Sequence, residues 1–135
     1  MKALLDTGPW VALIDSSERA HFACVEWFAV FEGDLYSTEP VLTEVLYLLN
    51  FSLKAQKAAL EYVLRDIVTL VPSNVQTLKV ARSLMEKYSD LPMDFADATL
   101  VCLAHESGIT NIVTLDQKDF SVYKTFNNRG FDIFP

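Results

Sequence analysis

With 135 residues, 51% of them hydrophobic, the chain has the size and apolar content to bury one core, and residues 1–135 are read as a single domain. Its formal net charge of −7 argues against a protein that grips nucleic acid through a broad basic face. That charge leaves room for an enzyme that gathers metal cations on acidic residues and meets phosphate through them.

The opening "MKALLDTGPW" reaches Asp6 after a short apolar stretch, too short for the about 7–15 apolar residues of a secretory signal. No apolar run approaches the ~18 residues of a membrane span, so a cytoplasmic protein without membrane contact is expected. "KALLD" is predicted to be a short buried strand, followed by a turn at "TGP". "SSERAHFACVEWFAVFEG" has the spacing of a helix that ends before Gly33, with Asp15 and Glu18 in a capping pattern at its start. "LYST" reads as a strand. "EPVLTEVLYLLNF" and "KAQKAALEYVLRD" read as two helices broken around Ser52. "IVTLV" is a third strand. "SNVQTLKVARSLMEKYS" begins with a good cap and carries Val75, Leu78, Ala81, Leu84 and Met85 at helical spacing. "FADATLVCLAHES" is a further helix with a broad apolar stripe, stopped by Gly108. "NIVTL" and "FDIFP" close the chain as strands. Cys24 and Cys102 lie alone in helical segments and are read as buried free thiols.

Strands alternate with helices, and the strands are apolar runs rather than alternations of polar and apolar residues. The expected fold class is therefore α/β, with a mostly parallel sheet covered on both faces. Such sheets bind ligands beyond the carboxyl ends of their strands. Asp6 ends the first strand, and Asp116 follows "NIVTL". Asp97 lies in the first turn of the helix that leads into that later strand, so it is expected at the same edge. Glu44 borders an apolar stripe, with Val41 three residues before it and Leu48 four after. These acids can meet in one place, with Asp94 and Asp119 as further candidates. Each also has a structural reading. Asp94 can cap its helix, and Asp97 can serve the helix dipole. Asp6 and Asp116 can form turns, Glu44 can be solvated, and Asp119 can start a helix.

The quoted stretches "LLDTGPWVALID", "PVLTEVLYLL", "MDFADATLVCLAHESG" and "NIVTLDQKDFSVY" together resemble the PIN-domain family, and within it the VapC-type toxin ribonucleases. The resemblance runs through nearly the whole chain in the right order. It implies a three-layer α/β/α fold and metal-dependent hydrolysis of RNA, with Mg²⁺ or Mn²⁺ as cofactor. Its acidic set falls on Asp6, Glu44, Asp97 and Asp116. Asp94 and Asp119 match positions that some relatives also carry as acids, and Thr7 and Thr114 match small hydroxyl residues near the site. A cognate antitoxin and a homodimer are the partners it suggests.

The chemistry agrees with that donor set. Hard divalent cations prefer oxygen ligands, and they supply the charge that phosphodiester cleavage needs. The chain has only two histidines, and neither His21 nor His105 lies in a ligand-like pair. Asp94 either caps its helix or adds to the cation's outer shell. Lys118 and Arg19 are the nearest cations that could meet RNA phosphate. Trp10, Phe95, Phe120 and Tyr123 lie near the expected edge and are read as core residues, with stacking on a base as the alternative for Trp10. Two other RNA-linked outcomes remain open at this stage, an RNA-processing nuclease without an antitoxin and an inactive binding module. A phospho-accepting receiver would need paired acids after the first strand and an Asp ending a middle strand, and neither is present. A nucleotide-binding domain would need a Gly-rich phosphate loop, also absent.

Overall fold

The computed structural model describes residues 1–135. Five strands form one sheet: β1 Lys2–Leu5, β2 Asp34–Ser37, β3 Val68–Leu70, β4 Asn111–Val113 and β5 Asp132–Phe134. Their order is β3-β2-β1-β4-β5, and every pairing is parallel. The sheet expected to be mostly parallel is wholly so. Ala3, Leu4 and Leu5 point to alternating faces of β1, yet each is at most 1% exposed. Both faces of the sheet are therefore covered, which is the helix–sheet–helix layering of an α/β fold.

Seven helices connect the strands: α1 Thr7–Ile14, α2 His21–Val30, α3 Glu39–Leu48, α4 Leu53–Leu64, α5 Val75–Lys87, α6 Phe95–Ser107 and the single turn α7 Gln117–Phe120. No helix is long and apolar enough to cross a membrane. The break expected near Ser52 is real: its hydroxyl accepts from the Ala55 N–H and starts α4. Helix α6 is buried on more than one face, with Ala96, Ala98 to Ala104 all in the core. It packs against α5 and α3. Gly108 ends it at φ 76°, a left-handed conformation that glycine adopts without a Cβ clash. Cys24 and Cys102 are buried free thiols, as expected.

Two local expectations are corrected. "TGP" is not a turn but the start of α1. Asp6 caps that helix, and Pro9 sits in its first turn, where a missing N–H costs no helical bond. Asp15 and Glu18 do not cap α2. Asp15 is the C-cap of α1, and its carboxylate closes a local turn by accepting from the Ser17 N–H and hydroxyl. Helix α2 starts later, at His21, after Ala20, which gives no side-chain cap. Trp10 lies on the buried side of α1 at 0% exposure, so it belongs to the core and not to a base-stacking surface.

Candidate active site

In a parallel sheet all strands end at one edge. The order β3-β2-β1-β4-β5 sends successive connections to opposite sides of β1, which opens a crevice beyond the carboxyl ends of β1 and β4. Register places Leu5 beside Val113, and the Asp6 N–H donates to the Val113 carbonyl at 3.0 Å. The residues that follow, Asp6 and Thr114 to Asp116, therefore flank that crevice. Helix α6 begins at the same edge and brings Asp94 and Asp97.

Asp6 is 8% exposed. Its Oδ1 accepts from the Thr7 N–H at 2.8 Å, and its Oδ2 from the Thr114 hydroxyl at 2.7 Å. Burial pushes its carboxyl up to about 6; those two hydrogen bonds oppose the rise, and the charges of Asp94 and Asp116 add to it. Asp97 is pushed up to about 8, first by loss of solvent and then by Asp6 and Asp94. The Tyr123 hydroxyl donates to its Oδ2 at 3.2 Å and works against that shift. Burial and the nearby Asp94 raise Glu44 as well, while the Thr7 hydroxyl donates to its Oε2 at 3.0 Å. Asp119 is raised by desolvation and by Asp116 beside it.

The carboxylate oxygens of Asp97, Asp116 and Asp119 lie within 4.8 Å of one another. That trio contains two of the four main acids and one of the two additional candidates. Asp6 and Glu44 stand outside it and are joined through Thr7, whose N–H serves Asp6 and whose hydroxyl serves Glu44. Asp94 caps α6 by accepting from the Asp97 N–H at 2.8 Å, and its charge bears on Asp6, Glu44, Asp97 and Asp119. Asp116 caps α7 by accepting from the Asp119 N–H at 3.1 Å. So the capping and clustering readings of Asp94 describe one side chain, and Asp116, read as a turn former, caps α7 while it joins the cluster.

No basic side chain neutralises this cluster. The one ion pair in the chain joins Arg65 and Glu61 on α4. Lys118 opposes the rise at Asp119, but neither it nor Arg19 forms an ion pair. The set is all oxygen, converging and anionic, with several members forced toward neutrality. Hard divalent cations take ligands of this kind, so the residues fit such a cation. A cleft of about 590 Å³ adjoins the site at Glu44, with Glu39, Pro40, Leu78 and Phe95 among its walls.

Some of this was beyond sequence reading. Tyr123 was expected only in the core, and it is fully buried, but its hydroxyl reaches Asp97. Its place four residues after Asp119 was the sole signal. Thr7 and Thr114 bond directly to site carboxylates, at positions the family resemblance singled out. His21 flanks a helix, with Nδ1 donating to the Ala12 carbonyl at 2.6 Å, and takes no part in the cluster.

Comparison with known proteins bears on the fold. The chain is similar in structure to VapC20 of Mycobacterium tuberculosis, a toxin described as cleaving the sarcin-ricin loop, with TM-score 0.76 and 22% identity over 82% of this chain and 86% of that one. It is similar to VapBC2 of Rickettsia felis bound to promoter DNA, with TM-score 0.69 and 16% identity over 100% of both chains. FitAcB of Neisseria gonorrhoeae gives TM-score 0.67 and 15% identity over 98% of this chain and 96% of that one. No curated protein matches the chain at a significant level. At these identities the structural likeness speaks for the fold. The sequence itself matches the PIN domain model across residues 3–125, and on that match the chain belongs to the PIN domain family.

Proposed function

We propose that this protein is a metal-dependent endoribonuclease that hydrolyses RNA phosphodiester bonds, and that it is the toxin of a toxin–antitoxin pair. The observation that carries the reading is the convergence of Asp97, Asp116 and Asp119 within 4.8 Å, with Asp6 and Glu44 held beside them and no basic residue to balance the charge. Membership of the PIN domain family and similarity to VapC20, described as a toxin that cleaves the sarcin-ricin loop, support the nuclease reading. Similarity to the VapBC2 and FitAcB assemblies supports a partner of antitoxin type; the homodimer rests on the resemblance to the toxin branch alone.

In this reading Asp97, Asp116 and Asp119 hold the cation, with Asp6 completing the acidic wall. Asp94 keeps the start of α6 in place and adds negative charge. A bound Mg²⁺ or Mn²⁺ supplies the positive charge that offsets the phosphodiester and acidifies the attacking water. Asp6 is oriented by two donors, so its carboxylate keeps one direction as the charge state of the cluster changes. Glu44 borders the cleft and has a carboxyl raised above the usual range, which suits it to accept a proton from water in the substrate's path. The Thr7 hydroxyl fixes Glu44 in that role.

Purified protein incubated with RNA in Mn²⁺ or Mg²⁺ tests the proposal. Cleavage that stops in EDTA and returns with added metal is the expected result. Equal rates with and without EDTA would reject the metal mechanism, and no cleavage of any RNA would favour an inactive binding module. If the toxin reading holds, a cognate antitoxin inhibits the cleavage, and its affinity falls in Asp97→Asn. A neighbouring gene with no such product would point to RNA processing instead.

A further inference from the structure

We propose that Tyr123 is the positioning residue of the acidic site, fixing Asp97 and Asp119 relative to each other. The inference rests on the cation site proposed above. Tyr123 closes the turn after α7 through its backbone and reaches one carboxylate of the trio through its side chain. Its N–H donates to the Asp119 carbonyl at 3.0 Å, and its hydroxyl donates to Asp97 Oδ2 at 3.2 Å. Asp97 and Asp119 come from different helices, α6 and the single turn α7. A residue bonded to both sets the gap between them.

The ring is held firmly enough for that. Tyr123 is 0% exposed, with edge-to-face contacts to Tyr88 at 5.0 Å and Phe120 at 5.1 Å between ring centroids. The Tyr88 hydroxyl accepts from the Lys124 N–H at 3.0 Å, which ties down the backbone one residue further on. Packing alone would be served by phenylalanine. The hydroxyl is needed only by Asp97, its single hydrogen-bond partner. With Oδ2 taken, Asp97 has Oδ1 left, and that oxygen accepts no hydrogen bond from the protein. A carboxylate held by one oxygen presents the other in a fixed direction, the arrangement by which outer partners orient metal ligands.

Calorimetric titration of Mn²⁺ into the full-length protein tests this, comparing wild type with Asp97→Asn, Tyr123→Phe and Tyr62→Phe. Each phenylalanine variant loses one oxygen from a ring that stays seated, and far-UV circular dichroism checks that the fold is kept. The expected result is no binding by Asp97→Asn and affinity about tenfold weaker in Tyr123→Phe. Tyr62→Phe, which removes a hydroxyl on α4 that bonds to no acid and touches neither Tyr123 nor its neighbours, keeps wild-type affinity. Tyr123→Phe binding as tightly as wild type overturns the inference and leaves the cation site standing. Equal weakening by both phenylalanine variants also overturns it, because the hydroxyl would then act only through general stability. Wild type that takes up no Mn²⁺ removes the cation site itself, and the role of Tyr123 with it.

Discussion

Helices α5 and α6 are neighbours of 13 residues each, and their first turns are built to different ends. Helix α5 opens on a neutral capping box: Asn74 accepts from the Thr77 N–H, and Thr77 accepts from the Asn74 N–H. Its buried residues, Thr77, Ala81 and Leu84, form one stripe, and the opposite side faces water. Helix α6 opens on Asp94, which accepts from the Asp97 N–H, and then places Asp97 among Asp6, Asp94 and Asp116. A capping bond would form equally well with asparagine. The negative charge at α6 is extra, and it is set where other negative charges raise its cost. One helix start stabilises the fold, while the other gives up stability to hold charge at a crevice.

The largest effect that separates these two starts is on activity. Asp97→Asn is expected to lower RNA cleavage at least about a hundredfold, more than the loss of an outer partner usually does. Asn74→Ala should leave the rate per folded molecule unchanged. Cleavage assays on both variants decide, and an Asn74→Ala enzyme as impaired as Asp97→Asn would erase the distinction. Next is the response to cation. Mn²⁺ at roughly 100 times its Kd should stabilise wild type and Asn74→Ala alike by about 2.7 kcal/mol, read as a rise in Tm. Asp97→Asn should show no such rise.

Stability sharpens the comparison from the other side. Asn74→Ala should cost about 1 kcal/mol in urea unfolding, the usual value of a lost N-cap. Without cation, Asp97→Asn should leave the protein at least as stable as wild type at neutral pH, since it keeps an acceptor for Tyr123 and removes a repelled charge. An equal loss in both variants would mean that Asp97 is an ordinary helix-start residue.

The pH dependence gives a further test. The folded-state pKa of Asp97 is about 8, above its ordinary 3.8. Between those values the folded protein keeps a proton that the unfolded chain has lost, so wild-type stability falls as pH rises. The gain from Asp97→Asn should therefore be absent near pH 4 and grow up to about pH 8, the folded pKa. The Asn74→Ala deficit should stay level across that window. Melting curves at several pH values in EDTA measure both, and a gain that is constant with pH would show that Asp97 is not the group being relieved.

Much of the fold was legible because its signals are local. The α5 cap, the stop at Gly108, the break at Ser52 and the apolar runs of β1 and β4 each lie within a few residues. Helix α1 was missed for an equally local reason. Gly8 and Pro9 resemble turn residues, but Pro9 falls in a first turn where it does no harm, and Gly8 packs closely on Leu115. A Cβ on Gly8 would lie 3.2 Å from Leu115, the residue before Asp116. The Asp15–Glu18 pattern misled because a capping motif reports only that its residues can bond locally, not that a helix follows.

The sequence by itself determined the fold class and which acids end at one edge of the sheet, because strand direction and helix order carry that information. It did not determine their grouping. Asp119 joins Asp97 and Asp116, whereas Asp6 and Glu44 share Thr7, across separations in sequence of 37 residues for Thr7 to Glu44 and 108 for Thr114 to Asp6. Nor did it show that a core tyrosine would spend its hydroxyl on Asp97. Those contacts depend on how far α7 tilts, how closely α1 approaches Leu115 and which rotamer each carboxylate takes. Tertiary packing decides such quantities, because hydrogen bonds and carboxylate repulsion change over fractions of an ångström, while sequence patterns fix position only to a face or an edge.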